Sequence, residues 1–194
     1  MTNRKVYISG EIIAEEDAKI SIFDSAVLLG DTVTESTRTF NYKPFKLKEH
    51  IDRLYKSFKL TRIDPQMTKK EMMDDSLNLL EINKNEYASN QDCWLVHNVS
   101  RGHSITGGNP TLQVTKPTVM IYTQPMNLVL WAPFYTKGCH AVIPPTRMVP
   151  SQSIDARIKN RSRLFYTLAE IEAKLVDPEA QSVILDIYGN VAEN

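Results

Sequence analysis

The spacing of apolar residues divides the first part of the chain into strands and helices. Period-two alternation is typical of strands and predicts a hairpin and then three single strands, in residues 5–13, 31–40, 92–100 and 117–124. Between the strands predicted in residues 31–40 and 92–100, apolar residues recur every three or four positions. This period predicts two amphipathic helices, one over residues 47–63 and one over residues 69–84 that places Met73, Leu77 and Leu80 on its apolar stripe.

The second part of the chain shows the same change of period. Residues 139–144 predict a short strand, and residues 181–194 predict a buried strand, a Tyr-Gly-Asn turn and a second short strand. A helix is expected from Ser162 onward, because apolar residues are spaced 4, 3 and 4 apart at Leu164, Leu168, Ile171 and Leu175. Residues 101–116 contain three glycines and a proline, so a mobile loop is expected there.

The order of these elements predicts an α+β protein with two domains. A small N-terminal α+β domain is expected over residues 1–125, followed by a linker over residues 126–134. Residues 135–194 form the first part of a second domain. The segment contains too few elements for a complete domain, so the second domain is expected to be incomplete in this chain.

Composition excludes several classes of protein. The 194 residues are 42% hydrophobic and 24% charged, and 23 lysines and arginines balance 23 aspartates and glutamates, so no net field attracts nucleic acid or an anionic membrane. Cys93 and Cys139 lie far apart, which argues against a disulfide framework and a metal site. Neither a signal sequence nor a long apolar run is present, so a cytoplasmic protein that does not span a membrane is expected.

The segment DARIKNRSRLF, residues 155–165, places Lys159 among Arg157, Arg161 and Arg163. Neighbouring positive charges disfavour protonation of a lysine that is not fully solvated, and a lysine with a lowered pKa is a nucleophile toward carbonyl compounds. The alternative is a solvated lysine in a charged turn, which composition and spacing alone favour.

Two further residues have the chemistry of a binding site. Arg53 lies one turn after His50 on the first amphipathic helix, where a guanidinium is able to grip a phosphate, although an exposed helix arginine is the commoner case. Glu193 lies near the end of the segment ILDIYGNVAEN and is able to accept a hydrogen bond from a protonated ring nitrogen, although a glutamate after a hairpin is usually solvated.

The order of these segments decides between the alternatives. The chain resembles the fold-type IV, or class IV, pyridoxal-phosphate-dependent aminotransferases, which include branched-chain and D-amino-acid aminotransferases, R-selective amine transaminases and aminodeoxychorismate lyase. The resemblance begins with an Asp, Gly-Asp, Glu, Arg pattern in residues 24–38 and continues in FKLKEHIDRL, close to the family pattern F-x-L-x-x-H-x-x-R-L. It is strongest in residues 155–173 and 184–194. It implies a D-amino-acid aminotransferase-like fold whose larger domain binds the cofactor.

The resemblance also implies roles for individual residues. Lys159 stands where the family has the lysine that forms the internal aldimine with pyridoxal 5'-phosphate and later moves a proton between substrate and cofactor. Glu193 stands where a glutamate keeps the pyridine nitrogen protonated, and Arg53 stands where an arginine contacts the cofactor phosphate. The candidates for the substrate mouth are Arg38, Arg101 and His103.

The activity implied is transamination by a ping-pong mechanism, in which an amino acid or amine donates its amino group and a keto acid or ketone accepts it. A homodimer or larger oligomer is implied too, because family active sites lie between two domains and borrow a loop from a second subunit, here Arg101–Pro110. Two alternatives stay open. One is an aminodeoxychorismate-lyase-like activity, supported by the segment VSRG and the glycine-rich loop, and the other is a truncated, non-catalytic homologue.

The chain also departs from the family pattern. Leu164, Leu29 and Val96 stand where enzymes for L-branched-chain amino acids have two tyrosines and an arginine, so a standard carboxylate site of that type is not expected. The chain stops at Asn194, within the family motif Glu-x-x-x-x-Asn and about a third short of a typical member. A complementing C-terminal segment, or poor solubility, is therefore expected, since the strand before Glu193 would otherwise expose its edges.

Overall fold

The computed structural model describes residues 3–88, 91–103 and 116–193, and within them the chain forms two compact units. The first unit comprises Met1–Met126 together with Ile158–Ser162, and the second comprises Asn127–Arg157 and Arg163–Asn194. The domain limits drawn from the sequence remain a prediction. The units differ from them mainly in Ile158–Ser162, which pack with the first unit.

The first unit is an antiparallel sheet of six strands in the order β2-β1-β6-β5-β3-β4. Its strands are β1 (Lys5–Ile8), β2 (Glu11–Ala14), β3 (Thr32–Phe40), β4 (Lys43–Pro44), β5 (Cys93–Ser100) and β6 (Thr118–Pro125). Its helices are α1 (Ser25–Leu29), α2 (Leu47–Thr61) and α3 (Lys69–Asn83). The predicted hairpin, strands and two amphipathic helices of this part are confirmed. The predicted mobile loop lies largely outside the described residues.

The two long helices pack against the sheet through their apolar sides. On α2 the buried side chains include Ile51, Leu54 and Phe58, as the period of the sequence indicates. On α3 the buried face differs from the predicted stripe, since Met72 and Leu79 are fully buried whereas Leu77 is 46% exposed. The reason lies in a polar contact with the sheet that hydrophobic periodicity does not detect.

That contact joins Ser76 of α3 to His97 of β5, both fully buried. Ser76 Oγ lies 2.7 Å from His97 Nε2 and 2.6 Å from the carbonyl oxygen of Met72. Since the serine hydroxyl donates to Met72, His97 donates to the serine from Nε2. Burial lowers the pKa of His97 to about 4, so the imidazole is neutral at pH 7. The negative charge of Glu35, which is paired with His97 in the sheet, raises this pKa but is outweighed by burial.

A segment from far along the chain completes the edge of this sheet. Asn160 forms an antiparallel bridge with Val33, and the backbone hydrogen bonds beside it join Thr34 N–H to the Lys159 carbonyl oxygen at 2.8 Å and Arg161 N–H to the Thr32 carbonyl oxygen at 2.9 Å. These bonds satisfy backbone groups that the edge of β3 would otherwise leave unpaired.

A glycine allows this segment to approach. Ser162 Oγ donates to the carbonyl oxygen of Gly30 at 2.7 Å, and a Cβ on Gly30 would lie 2.7 Å from the same Oγ. Gly30 also has a positive φ of 66°, which side chains disfavour. The Gly-Asp turn of the sequence is therefore required by a close contact as well as by backbone conformation.

The second unit contains two small sheets and two helices. The elements are α4 (Phe134–Lys137), β7 (Ala141–Val142), α5 (Leu164–Val176), β8 (Gln181–Ser182), β9 (Ile184–Leu185) and β10 (Val191–Glu193). The strands β7 and β8 are parallel, and β9 and β10 form an antiparallel pair around the predicted turn. The predicted strands and helix are thus confirmed. No helix in the described part of the chain is long and apolar enough to cross a membrane.

The apolar stripe that predicts α5 is not the face that the helix buries within this unit. Leu164 and Leu175 are 73% and 83% exposed, whereas Ala169 and Ala173 are fully buried. Periodicity therefore locates the helix correctly, but the packed face is the one with small side chains.

We expect the stability of the protein to fall between pH 6.5 and pH 4 because of His97. The unfolded state takes up a proton on this histidine near pH 6.5, whereas the folded state resists protonation down to about pH 4. The stabilising contribution is therefore present above pH 6.5 and is lost progressively as the pH falls, by about 3 kcal/mol in all. Urea denaturation at several pH values in this window measures the change.

The matched control is a histidine that is exposed. A His97→Gln variant should lose less stability over this pH range than the wild type, while a His103→Gln variant should follow the wild type. Equal pH dependence in the wild type and His97→Gln would contradict the prediction.

Candidate active site

Lys159 lies at the edge of β3, where its backbone is fixed on both sides. Its carbonyl oxygen accepts from Thr34 N–H, and its own N–H donates to Ser57 Oγ of α2 at 3.3 Å. The residue is partly buried. Asn160 is bridged to Val33 at the sheet edge, and the N–H of Asn160 also donates to the carbonyl oxygen of Ile158 at 3.1 Å, so the chain turns at Lys159.

The face of the sheet that α2 and α3 do not cover is here called the open face. It carries Thr34 of β3, which is paired in register with Asn98 of β5. Arg161 Nε donates to Asn98 Oδ1 at 2.9 Å, so Arg161 lies on this face. Lys159 lies two residues before Arg161 in the same segment.

Glu35 is the buried charge of the site and lies on the helix-covered face of β3. Arg53 donates to its two carboxylate oxygens from Nε at 2.6 Å and from Nη2 at 2.5 Å. The Nδ1 atom of His50 lies 3.0 Å from Oε1, and the backbone N–H of Ser36 donates to the same oxygen at 3.0 Å. Both oxygens of this carboxylate therefore accept hydrogen bonds.

These contacts decide the charge of Glu35. Burial by itself raises the pKa of Glu35, but hydrogen bonds from Arg53, Ser36 and His50 outweigh burial and hold the pKa below its usual value. The carboxylate is thus ionised at neutral pH and orients the guanidinium in a two-pronged geometry.

Arg53 keeps capacity for a further anion. Its side chain is 52% exposed, and within the described residues its Nη1 atom makes no hydrogen bond. Glu35 therefore holds the guanidinium in place without using all of its donors. An arginine held in this way loses little conformational entropy when it binds a phosphate.

Glu193 belongs to the second unit, on β10, and is exposed there. Its neighbour is Tyr166 of α5. Burial raises the pKa of Tyr166 to about 12, and the hydrogen bond to Glu193 and the charge of that carboxylate act in the same direction. Tyr166 is therefore neutral. The guanidinium of Arg163 lies over its ring, 5.2 Å from the ring centre.

Arg101 is occupied by contacts within the first unit. Its Nε and Nη2 atoms donate to the carboxylate of Asp31 at 2.7 and 3.3 Å. Its Nη1 and Nη2 atoms also donate at 3.0 Å to the carbonyl oxygens of Arg62 and Thr61, at the end of α2. Arg101 thus joins the last turn of α2 to the residue before β3, and a substrate role for it remains a prediction.

The other two candidates for the substrate mouth lie apart from these contacts. Arg38 places its guanidinium 3.9 Å from the ring centre of Phe40, the geometry of a cation–π contact. His103 forms a bridge with Asp24 and packs edge-on against Phe23, with ring centres 5.8 Å apart. The rest of the loop expected to reach a second subunit, residues 104–110, lies outside the described residues.

Sequence reasoning missed two contacts of the site. Glu35 belongs to the pattern in residues 24–38, but its pairing with Arg53 was not predicted. A charged residue at an inward-facing position of an alternating strand was a usable signal for this pairing. The contact between Arg161 and Asn98 had no signal, because the residues are far apart along the chain. Arg157, two residues before Lys159, is paired with Asp155 at 2.6 Å, and this ion pair offsets much of the positive field that Arg157 exerts on Lys159.

Comparison with known proteins places these residues in a family. Residues 32–194 match the sequence profile of the family described as amino-transferase class IV. A putative branched-chain-amino-acid aminotransferase of Methanocaldococcus jannaschii is 34% identical to the chain over 189 residues, covering 97% of this chain and 62% of that protein. An aminodeoxychorismate lyase of Bacillus subtilis is 28% identical over 191 residues, covering 97% of this chain and 61% of the lyase.

A solved structure shows the same fold. The T.th. branched-chain amino acid aminotransferase, crystallised with pyridoxamine 5'-phosphate, superposes with a TM-score of 0.85 at 24% identity and covers 100% of this chain and 63% of that one. The expected α+β fold is thereby confirmed. The chain spans less than two thirds of the length of the proteins it matches. Since the family match covers most of the chain, including Lys159, Arg53 and Glu193, this protein belongs to the class IV aminotransferase family.

Proposed function

We propose that this protein is a pyridoxal-phosphate-dependent transaminase that moves an amino group between an amino acid or amine and a keto acid or ketone. The observation that carries the proposal is the placement of Lys159. Its backbone is tied to β3 and α2, and it lies two residues before Arg161, which is held on the open face. A partly buried lysine on a rigid element is suited to covalent catalysis.

The residues present fit the cofactor. Lys159 supplies an amine for the cofactor aldehyde, and the Nη1 atom of Arg53 supplies donors for its phosphate. Glu193 supplies a carboxylate for the ring nitrogen, and Tyr166 lies beside it. When bound, pyridoxal phosphate supplies an electron sink for the electrons released at the substrate carbon.

The side chains then perform separate tasks. The Nζ atom of Lys159 in its neutral form accepts a proton from the substrate carbon and later returns one, as general acid–base catalysis requires. Arg53, fixed by Glu35, holds the phosphate end of the cofactor. Glu193 holds a proton on the ring nitrogen. The two half-reactions of the ping-pong cycle use the same lysine, first with the donor and then with the acceptor.

A lyase of the same family is the second candidate. The similarity to the aminodeoxychorismate lyase of Bacillus subtilis, over 97% of this chain, favours it. Assays with an L-amino donor, a D-amino donor, an R-amine and aminodeoxychorismate separate the two activities. A non-catalytic homologue would show neither turnover nor covalent attachment of the cofactor.

The remaining features of the proposal concern the whole protein. We propose a cytoplasmic homodimer or larger oligomer that acts on small-molecule donors and acceptors. Cys93 and Cys139 are both free thiols, which suits a reducing compartment.

We expect a Lys159→Ala variant to lose covalent attachment of pyridoxal phosphate. The chain is incubated with excess cofactor and reduced with borohydride, and the site of the added mass is mapped by peptide mass spectrometry. Reduction traps attachment even when binding is weak. The label should be on Lys159 in the wild type and absent from this position in the variant.

The control for this experiment is Lys56→Ala, which removes an exposed lysine of α2. It should be labelled on Lys159 to the same extent as the wild type. If the wild type carries no label on Lys159, or spreads it over surface lysines, the proposed function is wrong.

An Arg53→Gln variant should bind pyridoxal phosphate about 10 to 100 times more weakly, because it loses charge-assisted hydrogen bonds worth about 1.5–3 kcal/mol. The apparent dissociation constant is obtained from the extent of Lys159 labelling against cofactor concentration. Lys56→Gln, three residues further on α2, removes the same charge and should leave the constant unchanged. Equal constants for Arg53→Gln and the wild type would exclude a phosphate role for Arg53.

A further inference from the structure

Arg161 is the second residue after Lys159 and is held on the open face by a short chain of hydrogen bonds. Its Nε atom donates to Asn98 Oδ1 at 2.9 Å. The Nδ2 atom of Asn98 in turn donates to the hydroxyl oxygen of Tyr122 at 3.0 Å. The hydrogen bond to Asn98 holds the guanidinium of Arg161 at Nε, and the hydrogen bond to Tyr122 holds the side-chain amide of Asn98 in place.

The same contacts leave the outer edge of Arg161 available. The side chain is exposed, and in the part of the chain that the structure describes its two Nη atoms make no hydrogen bond. Two parallel N–H donors in one plane match the two oxygens of a carboxylate.

The position of Arg161 relative to Lys159 suits a substrate of a transaminase. Residues two apart in a chain have Cα atoms no more than about 7 Å apart, so the long side chain of Arg161 is able to reach the space around the Lys159 amine. The carboxylate of an amino acid is bonded to the carbon that bears the reacting nitrogen. A carboxylate group must therefore lie within a few ångströms of the Lys159 amine when such a substrate reacts.

Other arginines of the first unit are less available for this task. Arg101 is bound to Asp31 and to two carbonyl oxygens. The remaining donor of Arg53 is assigned to the cofactor phosphate in the proposed function.

We propose that Arg161 binds the carboxylate of the substrate, with Asn98 and Tyr122 as positioning residues for its guanidinium. The proposal rests on the proposed transaminase function. It makes amino acids and keto acids, rather than simple amines and ketones, the preferred substrate class.

The test measures binding of 4-methylpentanoate, the carbon skeleton of leucine without its amino group, to the chain saturated with pyridoxal phosphate. This acid cannot react, so an NMR titration of the backbone amides of β3 gives its dissociation constant independently of activity. The uncharged 4-methylpentanamide has the same shape and serves as the comparison ligand. An Arg161→Gln variant should bind the acid at least tenfold more weakly and the amide equally well.

Two further variants sharpen the test. Arg157→Gln removes a charge from the same basic run, but its guanidinium is paired with Asp155, so acid binding should stay within twofold of the wild type. Asn98→Ala leaves the charge of Arg161 and removes its anchor, so acid binding should weaken by less than in Arg161→Gln while amide binding is unchanged.

Four outcomes overturn the proposal. Acid binding within twofold of the wild type in Arg161→Gln shows that the arginine binds no carboxylate, and so does the absence of acid binding in the wild type. Equal loss of acid and amide binding shows that Arg161 only shapes the surface. Unchanged acid binding together with reduced labelling of Lys159 in the variant shows that Arg161 contacts the cofactor phosphate instead. Labelling of Lys159 in the wild-type chain distinguishes failure of this proposal from failure of the transaminase function.

Discussion

The backbone pairing between residues 159–161 and the edge of β3 determines the arrangement of the candidate site. Two hydrogen bonds, from Thr34 to Lys159 and from Arg161 to Thr32, attach a segment from late in the chain to a sheet formed by its first 126 residues. Backbone pairing of this kind fixes register, and register fixes the face on which each side chain lies. Arg161 reaches Asn98 on the open face for this reason, and a shift by one residue would place a different side chain there.

The buried carboxylate of Glu35 has a comparable role on the other face of the same strand. A buried charge is costly unless it is paired and fully hydrogen-bonded, and Arg53, His50 and the Ser36 amide meet this requirement. A hydrophobic residue at this position would remove the cost of desolvation, but it would leave the guanidinium of Arg53 without a fixed orientation. The ion pair thus contributes more to the placement of a functional group than to stability. β3 carries Glu35 on one face and borders Lys159 at its edge.

The second unit shows how much of a class IV fold this chain carries. The unit has Glu193, Tyr166 and the hairpin between β9 and β10, yet the apolar stripe of α5 stays exposed within it. The chain spans 62% of its relative in Methanocaldococcus jannaschii. The apolar period therefore locates α5, while the small side chains of Ala169 and Ala173 form the face that is packed.

The sequence by itself determined the type and order of the main elements, because hydrophobic period, glycine and proline positions act locally. The order of its motifs also determined the family resemblance and the identity of Lys159, Arg53 and Glu193 as candidates. Only the tertiary structure decided that Arg101 is bound by Asp31, that Glu35 holds Arg53, that Ser76 rather than Leu77 faces the sheet, and that Asn98 anchors Arg161. These are contacts between residues distant in sequence, and hydrogen-bond partners at such distances depend on strand register and helix rotation, which a local pattern does not contain.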